Sequence, residues 1–196
     1  MPSSIKGGNS AIGVITLTAP VPTDWLYVDI STDLPSVVFP ESKPGIHKGA
    51  IATTFGINTG GVGEMMVATL VAELNGTTFT NTLEVQPADL ASLSAEPACG
   101  VARSDVTTTL SIAGYPIDVL LTLDGYAPPE GAVIYLESSD PSLVQAPETV
   151  TIFQDKGKGS LLTRNVTPPT LVTLIASYPG VDLQMPISLT LIPAYT

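Results

Sequence analysis

The chain is poor in the residues from which most active sites are assembled. Among its 196 residues there is one histidine, His47, and one cysteine, Cys99. A lone thiol excludes an internal disulfide, and with it a disulfide-stapled secreted scaffold. His47 sits in "GIHKGA" with no second nitrogen or sulfur ligand nearby, so the sequence predicts no zinc site and a surface turn instead. Cys99, in "EPACGVA", would need a histidine beside it to act as a nucleophile, and His47 falls in the other half of the chain. Charge is scarce as well: charged residues make up 13%, about half the usual share of roughly 25%. Seven basic residues against 18 acidic ones give a net charge of −11. Such a surface repels phosphate backbones and anionic lipid, which argues against nucleic acid and membrane surface as partners. The same charge keeps a strand-rich chain soluble.

Long apolar runs are also missing. "DVLLTL" and "TLVTLIASY" are of strand length and interrupted by Thr or Ser, so no membrane insertion is expected. The opening "MPSSIKGGNSAIG" lacks the apolar core of a signal peptide. The expectation is a protein used without secretion by that route, or a piece of something larger. No window of ten residues keeps a helical period without a Pro or Gly. What is abundant is Thr, Ser, Val and Ile, with 17 Gly and 18 Pro between them. This composition favours strands and turns, and it predicts an all-β protein.

"GGNSAIG" does not have the spacing of a nucleophile elbow. "DKGKGS" (155–160) lacks the spacer and following helix of a phosphate loop, and reads as a hairpin tip with two solvated lysines. "NTGGVG" (58–63) reads as a flexible hairpin. Asp24, Asp29 and Asp33, like Asp118, Asp124 and Asp140, form no dense ligand run, so capping and solvation account for them better than calcium. No catalytic residue, no cofactor and no metal is expected.

The chain says much the same thing twice. "VITLTAPVP" (Val14 to Pro22) aligns with "LLTLDGYAPP" (Leu120 to Pro129), and "VDISTD" (Val28 to Asp33) with "IYLESSD" (Ile134 to Asp140). "ATLVAELNG" (Ala68 to Gly76) matches "VTLIASYPG" (Val172 to Gly180), and "TLEVQP" (Thr82 to Pro87) matches "SLTLIP" (Ser188 to Pro193). Several matches in order mark a tandem duplication whose period is a whole domain. Each copy carries about seven short alternating runs, which suits a seven-strand sandwich. The expected organisation is a sandwich over 1–88, a linker over 89–104 with one helical turn at "ADLASL", and a second sandwich over 105–196. "SSDPSLVQAP" is read as a crossover between sheets, with Asp140 capping a turn that starts at Pro141 and Leu143 and Val144 plugging the core. Asp33, Pro35, Val37 and Val38 take those parts in the first copy.

The stretches "LLTLDGYAPPEGAVIYLESSDPSLVQAPETVTI" and "KGKGSLLTRNVTPPTLVTLIASYPG" resemble bacterial immunoglobulin-like repeats, found in tandem in surface and secreted proteins and in tailed-phage virion proteins. The first copy departs from the pattern in "GGVGEMM" (Gly60 to Met66) and in Trp25, where a small residue is usual. The resemblance implies two tandem immunoglobulin-like β-sandwich domains joined by a linker, used for display, spacing and adhesion, and it transfers no active-site residue. The sequence then predicts a non-enzymatic decoration protein on a phage head or tail. It would dock on a protein lattice or host surface through one domain and display the other, in several copies on the particle. A repeat pair from a bacterial adhesin or stalk is the alternative, and a carbohydrate-binding accessory module a second one. The candidate contact surface is Trp25, Tyr27, Met65, Met66 and Tyr126: aromatics at or beside loops, and methionines suited to an adaptable interface.

Overall fold

A computed structural model describes residues 2–97, 100–101, 108–178 and 184–193; Cys99 and Asp105 lie outside the described residues. All regular structure among them is β-strand or turn. The chain divides into two compact units, Met1–Ala88 with Gly125–Pro129, and Asp89–Asp124 with Glu130–Thr196.

In the first unit the strands are β1 (Ser4–Lys6), β2 (Ser10–Thr16), β3 (Trp25–Tyr27), β4 (Asp29–Thr32), β5 (Val38–Pro40), β6 (Gly45–His47), β7 (Ala52–Thr59), β8 (Met66–Leu74) and β9 (Thr77–Gln86). One sheet has the order β1-β9-β8-β4, with β1 parallel to β9; the other has the order β2-β7-β5. β3 and β6 form a two-stranded ribbon. Alternation explains the layering: Phe55 and Ile57 on β7 turn inward, as do Ala68 and Leu70 on β8 and Leu83 and Val85 on β9, and they meet as one apolar core. "NTGGVG" is a crossover rather than a hairpin, because β7 and β8 belong to different sheets, and Val62 within it is buried.

The second unit contains β10 (Leu90–Pro97), β11 (Gly100–Val101), β12 (Thr108–Ile112), β13 (Ile117–Leu123), β14 (Ala132–Ser138), β15 (Val144–Gln145), β16 (Thr149–Ile152), β17 (Lys156–Thr163), β18 (Thr170–Ser177) and β19 (Gln184–Ile192). Its sheets run β10-β13-β17-β15 and β11-β12-β19-β18-β14-β16. β10, β13, β17 and β15 take the places of strands A, B, E and D in one layer of an immunoglobulin-type sandwich. Ile117, Val119, Leu121 and Leu123 all point from β13 into the core. Two stretches differ from the sequence reading. Residues 89–104 were expected as a linker with a helical turn, yet Leu90–Pro97 within them is a strand paired antiparallel to β13. Leu90 and Ala95 gain burial there, which outweighs a weak helical preference. "DKGKGS" is not a hairpin tip but the start of β17; Gly157 and Gly159 lie against Ile152 and Val150, where a Cβ would crowd them.

The duplication is visible in the hydrogen-bond ladders. Leu26 faces Ile46 and, 106 residues later (132 − 26 and 152 − 46), Ala132 faces Ile152. Val38 faces Thr59 as Val144 faces Thr163, and Leu70 faces Asn81 as Leu174 faces Ile187. The repeated crossover keeps its geometry too. Val144 N–H donates to the Asp140 carbonyl at 2.9 Å, and Val38 N–H to the Leu34 carbonyl at 2.9 Å. Asp140 Oδ1 accepts from the Ser142 N–H at 3.0 Å and the Ser142 hydroxyl at 2.6 Å. The residue in that place in the first unit is therefore Leu34, one position on from the Asp33 expected. Asp33 instead accepts the Thr69 N–H at 2.7 Å and so ties the crossover to β8.

Candidate functional site

The most distinctive exposed side chains lie on the β3–β6 ribbon. Trp25 faces His47, Leu26 faces Ile46, and Tyr27 faces Gly45. Period-two alternation sends Ile46 fully into the core with Leu26 packed against it, so Trp25, Tyr27 and His47 share the outer face. Trp25, expected as a contact residue, could by its size equally have filled the core of a sandwich. It is exposed, at 56%, and Tyr27 at 58%. Their rings are nearly parallel, with centroids 6.3 Å apart and an interplanar angle of 18°. The His47 ring meets Trp25 edge-on at 6.1 Å and 80°. Gly45 makes this possible: a Cβ there would come within 3.0 Å of the indole and 3.1 Å of the phenol, so the two rings rest over bare backbone. Beside the ribbon, the Lys43 Nζ lies 3.1 Å from Asp29 Oδ1 in an exposed pair.

This arrangement offers flat apolar faces with polar tips. It can stack on another ring, on an apolar sugar face or on a cation. The imidazole in it, His47, has its Nδ1 3.1 Å from the Lys48 carbonyl oxygen and its ring edge-on to an indole. Among the described residues no three His, Cys, Asp or Glu side chains are placed to hold a metal ion.

The other candidates stand elsewhere. Tyr126 belongs to the first unit, where its N–H donates to the Gly7 carbonyl at 2.8 Å and its ring covers Gly8, a glycine with φ +86°. Met65 is exposed just ahead of β8, whereas Met66 opens β8 and packs on the core. Met66 pairs with Val85 and Gly7 N–H donates to Gln86, so both methionines and Tyr126 stand at one end of β9. Trp25 and Tyr27 lead into β4, which pairs with β8 at Glu73, close to the other end of β9. The five residues thus fall into two groups separated by most of a ten-residue strand, about 25–30 Å. Sequence reasoning missed Ile12, Val14 and Phe79, which are also exposed. For Ile12 and Val14 the signal was present in "SAIGVIT", which is apolar on both faces of the strand.

No protein-family model matches the chain, and no curated protein sequence is similar to it. Solved structures are similar in strand arrangement. Domains 4 and 5 of the S-layer protein SbsC match at 13% identity over 90% of this chain and 74% of that one, with a TM-score of 0.38. The titin domains Z1Z2, solved in complex with telethonin, match at 12% identity over 97% and 91%, with a TM-score of 0.33. The C-terminal domain of the Streptococcus agalactiae AgI/II polypeptide BspA matches at 6% identity over 92% and 84%, with a TM-score of 0.36. Identities this low leave function to be read from the chain's own residues.

Proposed function

We propose that this chain is a non-enzymatic structural and binding protein displayed on a surface, and that the surface is a virion head or tail. In this reading the first unit docks on a protein lattice through its aromatic ribbon, and the second unit is displayed, with many copies on one particle. The observation that carries the reading is the Trp25–Tyr27–His47 patch, held exposed over Gly45 instead of being folded into the core. Rigid aromatics of this kind anchor interfaces at small entropic cost. The acidic, disulfide-free chain suits a protein assembled inside a cell and then exposed outside it. Co-sedimentation with purified particles tests the proposal. The W25A/Y27A double variant should fold normally, since both side chains are exposed, and should lose about tenfold or more in affinity. Undiminished binding by that variant sinks the docking role of the ribbon.

The near-parallel rings favour one further reading, a sugar-binding surface. A glycan array separates the two. Retention of one glycan class by the parent protein, lost in W25A, would replace the lattice with a carbohydrate as the partner.

A further inference from the structure

The second unit closes an edge that the first leaves open. By the shared register β2 corresponds to β13: Ile12 faces Gly56 as Asp118 faces Ser160. β13 has β17 on one side and β10 on the other, with Leu120 opposite Ser94 and Asp118 opposite Glu96. β10 also runs alongside β12 and β19, so it bridges from one sheet to the other while turning Leu90 and Ala95 inward. β2 has β7 on one side and, among the described residues, no strand on the other. Leu17 N–H donates to Ile51 and Asn9 accepts from Thr59, so the odd-numbered residues of β2 bond to β7. The N–H and C=O groups of Ile12, Val14 and Thr16 therefore point out of the sheet edge.

The gap reaches the interior. Leu121 and Leu123 on β13 are buried, but their counterparts Ile15 and Leu17 are only half-buried. Behind them lies a cleft of about 290 Å³, bounded by Gly13, Ile15 and Leu17 on one sheet and by Leu70, Leu74 and Phe79 on the other. That is about twice the volume of a cavity that accepts one benzene ring. No ionisable residue lines it. Natural sheet edges are blunted by lysine, proline, bulges or shortness. β10 has a bulge between Leu90 and Ser92 and ends in Glu96 and Pro97. β2 runs seven residues without any such device and leaves Ile12 and Val14 at 63% and 57% exposure.

We infer that the open edge of β2 and the cleft behind it accept an extended strand from another polypeptide, with the chemistry that β10 supplies to the second unit. The strand is uncharged where it meets the cleft and antiparallel to β2. Leucine or a similar residue enters the cleft at alternate positions, and small hydroxyl residues face out, as Leu93 and Ala95 alternate with Ser92 and Ser94. The lining selects this partner: a groove without an ionisable group cannot solvate a charged side chain that enters it, so the residues turned into the cleft are apolar as they are in β10. Main-chain pairing supplies affinity and the cleft supplies selectivity. The site is distinct from the aromatic ribbon and does not depend on where the protein is displayed.

The test uses the full 196-residue chain and the synthetic peptide ADLASLSAEP, the sequence from Ala88 to Pro97. At saturating peptide, amide hydrogen exchange at Ile12, Val14 and Thr16 should slow by about tenfold or more, with the second unit unchanged. A peptide with aspartate in place of both leucines should give no protection. Val14→Lys, at an exposed position, should keep the parent melting temperature and abolish the protection; Ile12→Lys reads out the same edge if Val14→Lys does not fold. Absence of slowing in β2 at millimolar peptide overturns the proposal, and so does slowing confined to β13. A concentration-dependent dimer with β2 protected in the absence of peptide also overturns it, since the occupant would then be a second copy of this chain.

Discussion

Asp33 shows how much one exposed carboxylate can do for a crossover. The Thr69 N–H donated to its Oδ1 favours the charged form and holds its pKa below the usual aspartate value. A lowered folded-state pKa means stabilisation that is present above the unfolded value, near about 3.9, and lost as pH falls through the folded one. Asp33→Asn should therefore melt below the parent at neutral pH, and the two melting curves should converge in acid. Melting temperature against pH for both proteins checks this; a gap that persists at low pH would show that the charge is not responsible. In the second unit the same place is held by Ser139, whose hydroxyl accepts the Thr173 N–H at 3.0 Å. The tether to the neighbouring strand survives there without a titrating group. On the ribbon, Gly45→Val would insert a branched side chain under Trp25 and Tyr27. The rings must then part, and binding should fall as in W25A/Y27A although neither aromatic is altered.

At the scale of strands, the difference between β2 and β13 predicts different costs for equivalent truncations. Leu121 is fully buried beneath β10, and Leu121→Ala should cost about 2–5 kcal/mol. Ile15, half-buried beside the cleft, should cost roughly half as much on truncation, because part of its surface is already in water. Denaturant titration of both variants gives the comparison, and equal losses would mean that the cleft is closed in solution. Asp140→Ala removes the oxygen that holds the Ser142 N–H and hydroxyl and should cost about 0.5–2 kcal/mol, as other lost caps do.

Across the whole molecule, the alternating runs announced most of the strands: the repeated stretches "ATLVAELNG" and "TLEVQP" fall largely within β8 and β9. Turn chemistry located the crossovers, because Pro35 and Pro141 each follow the residue whose carbonyl starts the turn. What the sequence obscured was tertiary in origin. "ADLASLSAEP" has no strong strand preference of its own and becomes a strand because β13 offers it an edge and a core. Trp25 could be read as buried or exposed, since only the inward turn of Leu26 and Ile46 settles which way the alternation falls. Tyr126 lies within the sequence of the second copy but packs in the first unit, a placement that no local pattern encodes. The open edge of β2 could be recognised only by comparing two copies of one ladder.

That common ladder also bears on how the chain reaches its native state. Two templates with interchangeable registers, synthesised one after the other, can pair with each other before each pairs with itself, a characteristic failure of tandem repeats. Sequence divergence between the copies is the safeguard, and Gly13 against Val119 or Ile12 against Asp118 are examples of it. Engineering the first copy to resemble the second more closely should lower the yield of correctly refolded protein after dilution from denaturant, even if each altered residue stabilises its own sandwich.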